Sequence, residues 1–259
     1  QSDLGMQDLL IGRALGSAGE WWAAQLAFQQ AVAHDPLNGE AWAFLGEAEQ
    51  QNGSDGAEAL TKAVKLASGS VLVQALQGVY WIRQGKPDRA LIFLHAAADL
   101  EPDNPVWQVQ LGEASAMLGS LTDAVGYYQQ AVKLAPRNPV YWRMLASFCL
   151  DHHYMVSEIG LPAARQGVLL DPTSAESLDM MGQVFTALED TINAERYFER
   201  AISAAPNAPS AHLHLGFLLL QEGDKAAARQ QLQLASNLQP GSSIGQQADR
   251  LLQEYFPAN

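Results

Sequence analysis

The interval between a glycine and a later proline recurs along this chain without drift. Gly12 precedes Pro36 by 24 residues, and the same gap separates Gly78 from Pro102, Gly112 from Pro136, Gly182 from Pro206 and Gly216 from Pro240. A step of 10 then carries Pro36 to Gly46, Pro102 to Gly112, Pro172 to Gly182 and Pro206 to Gly216. The two steps sum to 34, and the 204 residues from Gly12 to Gly216 make six such periods. A fixed period of this size marks stacked supersecondary units. Each is too small to bury its own apolar face, so neighbours must share a core.

Small and aromatic residues keep the same phase. Ala24, Phe28 and Ala31 recur as Ala124, Tyr128 and Ala131 and as Ala194, Phe198 and Ala201, with Ala90, Leu94, Ala97 and Ala228, Leu232, Ala235 as variants. Steps of four and three put each triplet on one face of a helix. Trp42, Leu45 and Gly46 do the same for a preceding helix. Each period is therefore expected to form two antiparallel helices, with the small residues where their backbones approach closely. Asn104–Pro105 and Asn138–Pro139 read as an N-cap followed by proline at the first helical position. Pro102, Pro136, Pro172, Pro206 and Pro240 fall where the second helix must stop.

Glycine, alanine, aromatic, alanine and proline in this phase resemble the tetratricopeptide repeat (TPR) family. The resemblance implies an all-α fold, a right-handed superhelical solenoid formed as a single array over residues 1–259. Its seven helix-turn-helix units are expected at 5–38, 39–70, 71–104, 105–138, 139–174, 175–208 and 209–242. A C-terminal capping helix follows at 243–256. That helix carries Ala248, Leu251, Leu252 and Tyr255 as an apolar stripe beside Gln246, Arg250 and Glu254, which suits a cap on the last unit or a docking helix for a partner. The unit 39–70 is two residues short, with Ser68 in place of its proline. The unit 139–174 is two residues long, with Ala146 in place of glycine and Gly167 in place of the second alanine. Its second helix is expected to start near Leu161, because Pro162 comes early, and Asp151–Gly160 is expected to be the longest turn of the array.

Composition narrows the partners. Asp and Glu number 28 against 15 Lys and Arg, a net charge of −13. No basic footprint exists to neutralise nucleic-acid phosphates, and anionic membrane surfaces are disfavoured for the same reason. Cys149 stands alone, which excludes an internal disulfide and a multi-cysteine zinc site. The densest apolar stretch, Leu213–Leu220, is interrupted by His214 and Gly216 and is too short to span a membrane. The chain opens at Gln1 without an initiator methionine, so removal of a preceding segment is expected and the compartment stays open.

Chemistry-bearing residues are few. Cys149, His152 and His153 lie close in sequence, but Cys149 occupies a repeat position that faces the partner helix, and adjacent histidines diverge by about 100° on a helix. His212 and His214 diverge too. Glu176 and Asp179 share a helix face, read here as a solvated carboxylate pair lacking a partner base. Glycine-rich phosphate loops and hydrolase motifs are missing. No catalytic residue, metal ligand or cofactor is assigned.

The resemblance implies a non-catalytic scaffold that binds a peptide segment of a partner protein in a concave groove. In the family, ligand contacts come mainly from the second, fifth, ninth and twelfth positions of each first helix. Carried over, these select Leu72, Val79 and Ile82, then Val106, Val109 and Glu113, then Val140 and Leu150, and finally Leu213 and Phe217. Glu40, Glu47, Glu176 and Asp179 form acidic counterparts. The apolar stripe either faces a ligand or is buried between neighbouring first helices. Arg83 and Arg143 border it, placed to grip a peptide carboxylate or carbonyl or to pair with Glu113 and Asp151 within the array. The Lys/Asn/Arg clamp used by chaperone-tail binders is missing, since Leu9, Arg13, Phe44 and Glu47 stand at its places. Self-association of copies, or service as the substrate-holding region of a larger protein, are the competing readings.

Overall fold

The structure is a computed structural model, and it describes residues 2–257. Every regular element within that range is helical. Its contacts divide between Ala131 and Val132 into two compact units.

The first unit holds α1 (Ser2–Ser17), α2 (Trp21–His34), α3 (Gly39–Gln51), α4 (Ala57–Leu66), α5 (Val71–Arg83), α6 (Pro87–Leu100), α7 (Pro105–Met117) and most of α8 (Leu121–Leu134). The second holds α9 (Pro139–Asp151), α10 (Leu161–Leu170), α11 (Ala175–Ala187), α12 (Thr191–Ala204), α13 (Pro209–Glu222), α14 (Lys225–Leu238) and α15 (Ser243–Tyr255). In both units a helix packs on its neighbours in sequence, and odd-numbered helices also meet the next odd one: α1 with α3 and α3 with α5, then α9 with α11 and α11 with α13. That is the packing of stacked helix pairs.

The repeated glycines sit where two helices touch. A Cβ at Gly12 would collide with the edge of the Phe28 ring. One added at Gly78 would stand 2.8 Å from Leu94, one at Gly112 2.9 Å from Tyr128, and one at Gly216 2.8 Å from Leu232, so no side chain fits there. In each case the partner is 16 residues later, on the antiparallel helix. Ala24, Phe28 and Ala31 are at most 1 % exposed, as are Ala194, Phe198 and Ala201, so the triplets are the core.

Helix ends follow the expected chemistry. Asn104 and Asn138 cap α7 and α9, each Oδ1 accepting from the N–H two residues on, with proline next. The Trp42 and Trp142 indole N–H groups both donate to the carbonyl of the proline six residues earlier, at 2.9 Å, and so satisfy the interhelical loop. The turn inside each pair needs at least one left-handed residue. Gly19, Gly53 with Gly56, Gly85 and Gly119 supply it in the first unit, and His153 with Met155, Glu189 and Gly223 in the second.

The two extra residues near 151–160 are absorbed differently from expectation. Instead of one long turn, α9 runs to Asp151, four irregular residues follow, and Val156–Gly160 forms a single π-helical turn leading into α10 at Leu161. The pattern's glycine is Ala146 here, and the close approach moves to Gly160, whose Cβ position lies 3.1 Å from Cys149 Cβ.

Candidate binding surface

The odd-numbered helices turn one side to their own second helices and leave another free, and the free side is where a ligand contact is sought. In the first unit that side is acidic and apolar by turns. Glu47 on α3 is only 8 % exposed, yet it remains charged because Arg83 on α5 reaches it with both guanidinium nitrogens, at 2.6 and 2.8 Å. Burial works to raise the Glu47 pKa. Hydrogen bonds from Arg83 and Gln51, with the Arg83 charge, outweigh it and hold the pKa below the usual carboxylate range. An open depression of about 750 Å³ lies nearby, with Glu40, Leu72, Ala75 and Trp107 on its walls. There Glu40 accepts from Ser70 Oγ at 2.8 Å.

The second unit repeats the device with other side chains. Asp179 on α11 is 5 % exposed, with Oδ1 2.8 Å from His214 Nδ1 on α13 and Oδ2 accepting from Gln183 at 3.1 Å. A carboxylate on Nδ1 holds the proton there and turns Nε2 outward. His214 and Phe217 together line two adjoining cavities, of about 380 and 460 Å³. Leu150, Gln183 and Thr186 close the first, and Leu251 and Arg250 the second.

The residues picked from sequence fall into three groups. Val106, Val140 and Phe217 are open to solvent at 43, 41 and 42 %. Leu72, Val79, Ile82, Arg143 and Leu150 are half-buried, while Glu113 is exposed and accepts from Gln110. Val109 and Leu213, at 3 and 4 % exposure, belong to the packed interior. The apolar stripe is thus part surface and part core.

Three pairings differ from expectation. Arg83 takes Glu47, not Glu113. Arg143 lies 3.4 Å from Ser177 Oγ, while Asp151 accepts from Ser147. Asp179 is no solvated carboxylate without a base, since it is buried against His214. Both acid–base pairs link residues about 35 apart on successive odd helices, a separation of one period plus one or two, and that was their only signature in the sequence.

Cys149 is fully buried, and burial raises its thiol pKa to about 11. It is a poor nucleophile. His212 is buried beside the Pro206 carbonyl and Gln231, directed away from His214. Among the described residues no three His, Cys, Asp or Glu side chains converge on a metal-sized site, and no helix is long and apolar enough to cross a membrane.

Stacked helix pairs define a repeat protein of the interaction class. A tetratricopeptide repeat model matches residues 82–148 and 185–250, and a second one matches residues 9–71. The chain therefore belongs to the tetratricopeptide repeat family, whose members are generally non-catalytic protein-interaction scaffolds. No curated protein matches it. Among solved structures, yeast Tom70 aligns over 90 % of this chain and 50 % of its own, at 18 % identity and a TM-score of 0.67. The Cut9–Hcn1 hetero-tetramer of the APC/C aligns over 95 % of this chain and 48 % of its own, at 16 % identity and a TM-score of 0.62. PilF of Pseudomonas aeruginosa aligns over 96 % of this chain and 98 % of its own, at 16 % identity and a TM-score of 0.58. At these identities the likeness is one of fold, and the chain spans about half the length of the Tom70 and Cut9–Hcn1 chains it matches.

Proposed function

We propose that the chain is one array of seven helix-pair units, 5–38, 39–70, 71–104, 105–138, 139–174, 175–208 and 209–242, closed by the helix at 243–256. In this reading it is a scaffold that holds an extended or helical peptide segment of a partner protein on the free side of its odd-numbered helices. The observation that carries the reading is Phe217. A large aromatic ring stands 42 % exposed between two cavities, beside an imidazole whose orientation is fixed by a buried aspartate. An exposed aromatic anchor next to a preset polar group is what a peptide side chain needs for affinity and direction. Val140, exposed in the same unit, adds apolar surface, and the acidic balance of the chain favours peptides with basic flanks.

The test is a random peptide library panned on the intact chain, with selected peptides then measured by fluorescence polarisation. Phe217→Ala combined with Leu150→Ala is expected to weaken binding at least about ten-fold while leaving helical circular dichroism unchanged. Peptides that bind the double variant as tightly as the parent chain would refute this placement.

A further inference from the structure

The smaller cavity beside Phe217 sits at the C-terminal ends of three helices. Leu150 and Asp151 close α9, Thr186 and Ala187 close α11, and Phe217 and Gln221 belong to the last two turns of α13. Each of these ends carries the negative pole of a helix dipole, so the space between them favours a cation. Asp151 adds a full negative charge, at the end of a helix where a carboxylate is disfavoured. Its Oδ2 accepts from Ser147 at 3.1 Å, and none of the ion pairs among the described residues includes it. No lysine or arginine lines the cavity.

Much of the polar wall has already committed its hydrogens. Thr186 Oγ1 donates to the Gly182 carbonyl at 2.9 Å, Gln183 Nε2 donates to Asp179 at 3.1 Å, and His214 Nδ1 donates to Asp179 at 2.8 Å. What these groups still offer is lone pairs: on Thr186 Oγ1, on Gln183 Oε1 and, in the neutral imidazole, on His214 Nε2. The Asp151 carboxylate is an acceptor as well. The apolar part of the wall is the Phe217 ring, 42 % exposed, with Leu150.

An occupant that satisfies this wall brings several donors, a positive charge and a flat face. Among peptide side chains arginine alone has all three, with five N–H donors, no acceptor and a plane that stacks on aromatic rings. Lysine has the charge without the plane. Tyrosine and tryptophan have the plane with a single donor and no charge.

We propose that this cavity, of about 380 Å³, is the subsite for an arginine side chain of the bound peptide. The guanidinium stacks on Phe217 and directs its N–H groups at the Asp151 carboxylate and the acceptors of Gln183, Thr186 and His214. The inference rests on the peptide-holding reading above and gives that peptide its anchor.

Peptides panned on the intact chain are remeasured by fluorescence polarisation with each arginine changed to citrulline, which keeps the plane and loses the charge, or to lysine. The selected peptides should share an arginine at one position. Citrulline there should weaken binding at least about ten-fold, and lysine about three-fold. Asp151→Asn should weaken the arginine peptide about ten-fold and barely change the citrulline peptide, with helical circular dichroism unchanged because residue 151 is exposed. Peptides that need Phe217 and Leu150 but show no arginine preference overturn this inference and leave the peptide-holding reading standing. So do equal losses for both peptides in Asp151→Asn. If panning selects nothing, the peptide-holding reading fails, and N-acetylarginine methylamide titrated against the His214 and Phe217 NMR signals decides the subsite. Shifts that saturate with it and not with its citrulline analogue uphold the arginine site; equal responses, or none, overturn it.

Discussion

In the first unit the buried acid between successive odd helices, Glu47, is met by a guanidinium. In the second, Asp179 is met by an imidazole. The turns differ in the same direction: only glycines take the left-handed positions inside the pairs of the first unit, whereas His153, Met155 and Glu189 take them beside Gly223 in the second. The first unit is thus joined by a permanent charge and built with unstrained turns. The second carries side chains at positions that cost backbone energy, together with a π-helical turn, and it has the exposed aromatic between two cavities. One of those strained residues, His153, lines the same cavity as Phe217 and Leu150.

The largest test of the contrast strikes the contact that both units share. Gly182→Val drives methyl groups into the Phe198 ring, and it should destabilise the second unit by about 3 kcal/mol. Hydrogen exchange should then show faster opening after Val132 than before Ala131; uniform acceleration would mean that the two units unfold as one. Arg83→Met comes next. It strands a buried carboxylate, and it should cost about 2 kcal/mol at neutral pH in urea unfolding, with Arg83's partial exposure reducing the figure for a fully buried pair. The sign with pH is fixed. Glu47 has a depressed pKa in the folded chain, so its contribution is complete above the unfolded carboxylate value and disappears as pH falls through the folded one. The penalty of Arg83→Met should shrink over that range, and a penalty independent of pH would contradict the assignment.

His214→Leu leaves Asp179 with Gln183 alone and should cost about 1–2 kcal/mol, while His214→Asn, which keeps a donor, should cost less. The readout that separates the units is peptide affinity: His214→Leu should reduce it and Arg83→Met should not. The smallest effect is a gain. Glu189→Gly relieves a left-handed non-glycine residue, φ 59°, and should stabilise the second unit by about 0.5–1 kcal/mol in thermal unfolding.

Most of the helical framework could be read from the sequence because it is set by contacts that repeat. Gly12 against Phe28 and Gly112 against Tyr128 are the same steric requirement met again, and periodicity exposes such requirements. Asn104–Pro105 is legible for a related reason, since a cap acts within a few residues. The acid–base pairs were not legible. Glu47 meets Arg83, and Asp179 meets His214, through the crossing of one odd helix over the next, and a shift of one helical position would have chosen other partners. The division of the apolar stripe is of the same kind: Val109 and Val106 are three residues apart on one helix, yet one is interior and the other open. The turn at Val156–Gly160 escaped because an insertion of two residues has several backbone solutions, and the one adopted packs Gly160 closely on Cys149.

That last contact makes the chain its own probe of motion. Its single thiol lies at the junction of α9 with the π-helical turn, fully covered and with its pKa raised to about 11, so a disulfide reagent at neutral pH meets almost no thiolate and no opening. Whatever labelling occurs must wait for the turn to lift away, and its rate at saturating reagent is the opening rate of that segment. A peptide that seats against Leu150, one residue along the same helix, should slow the clock, so binding could be timed with no tag added.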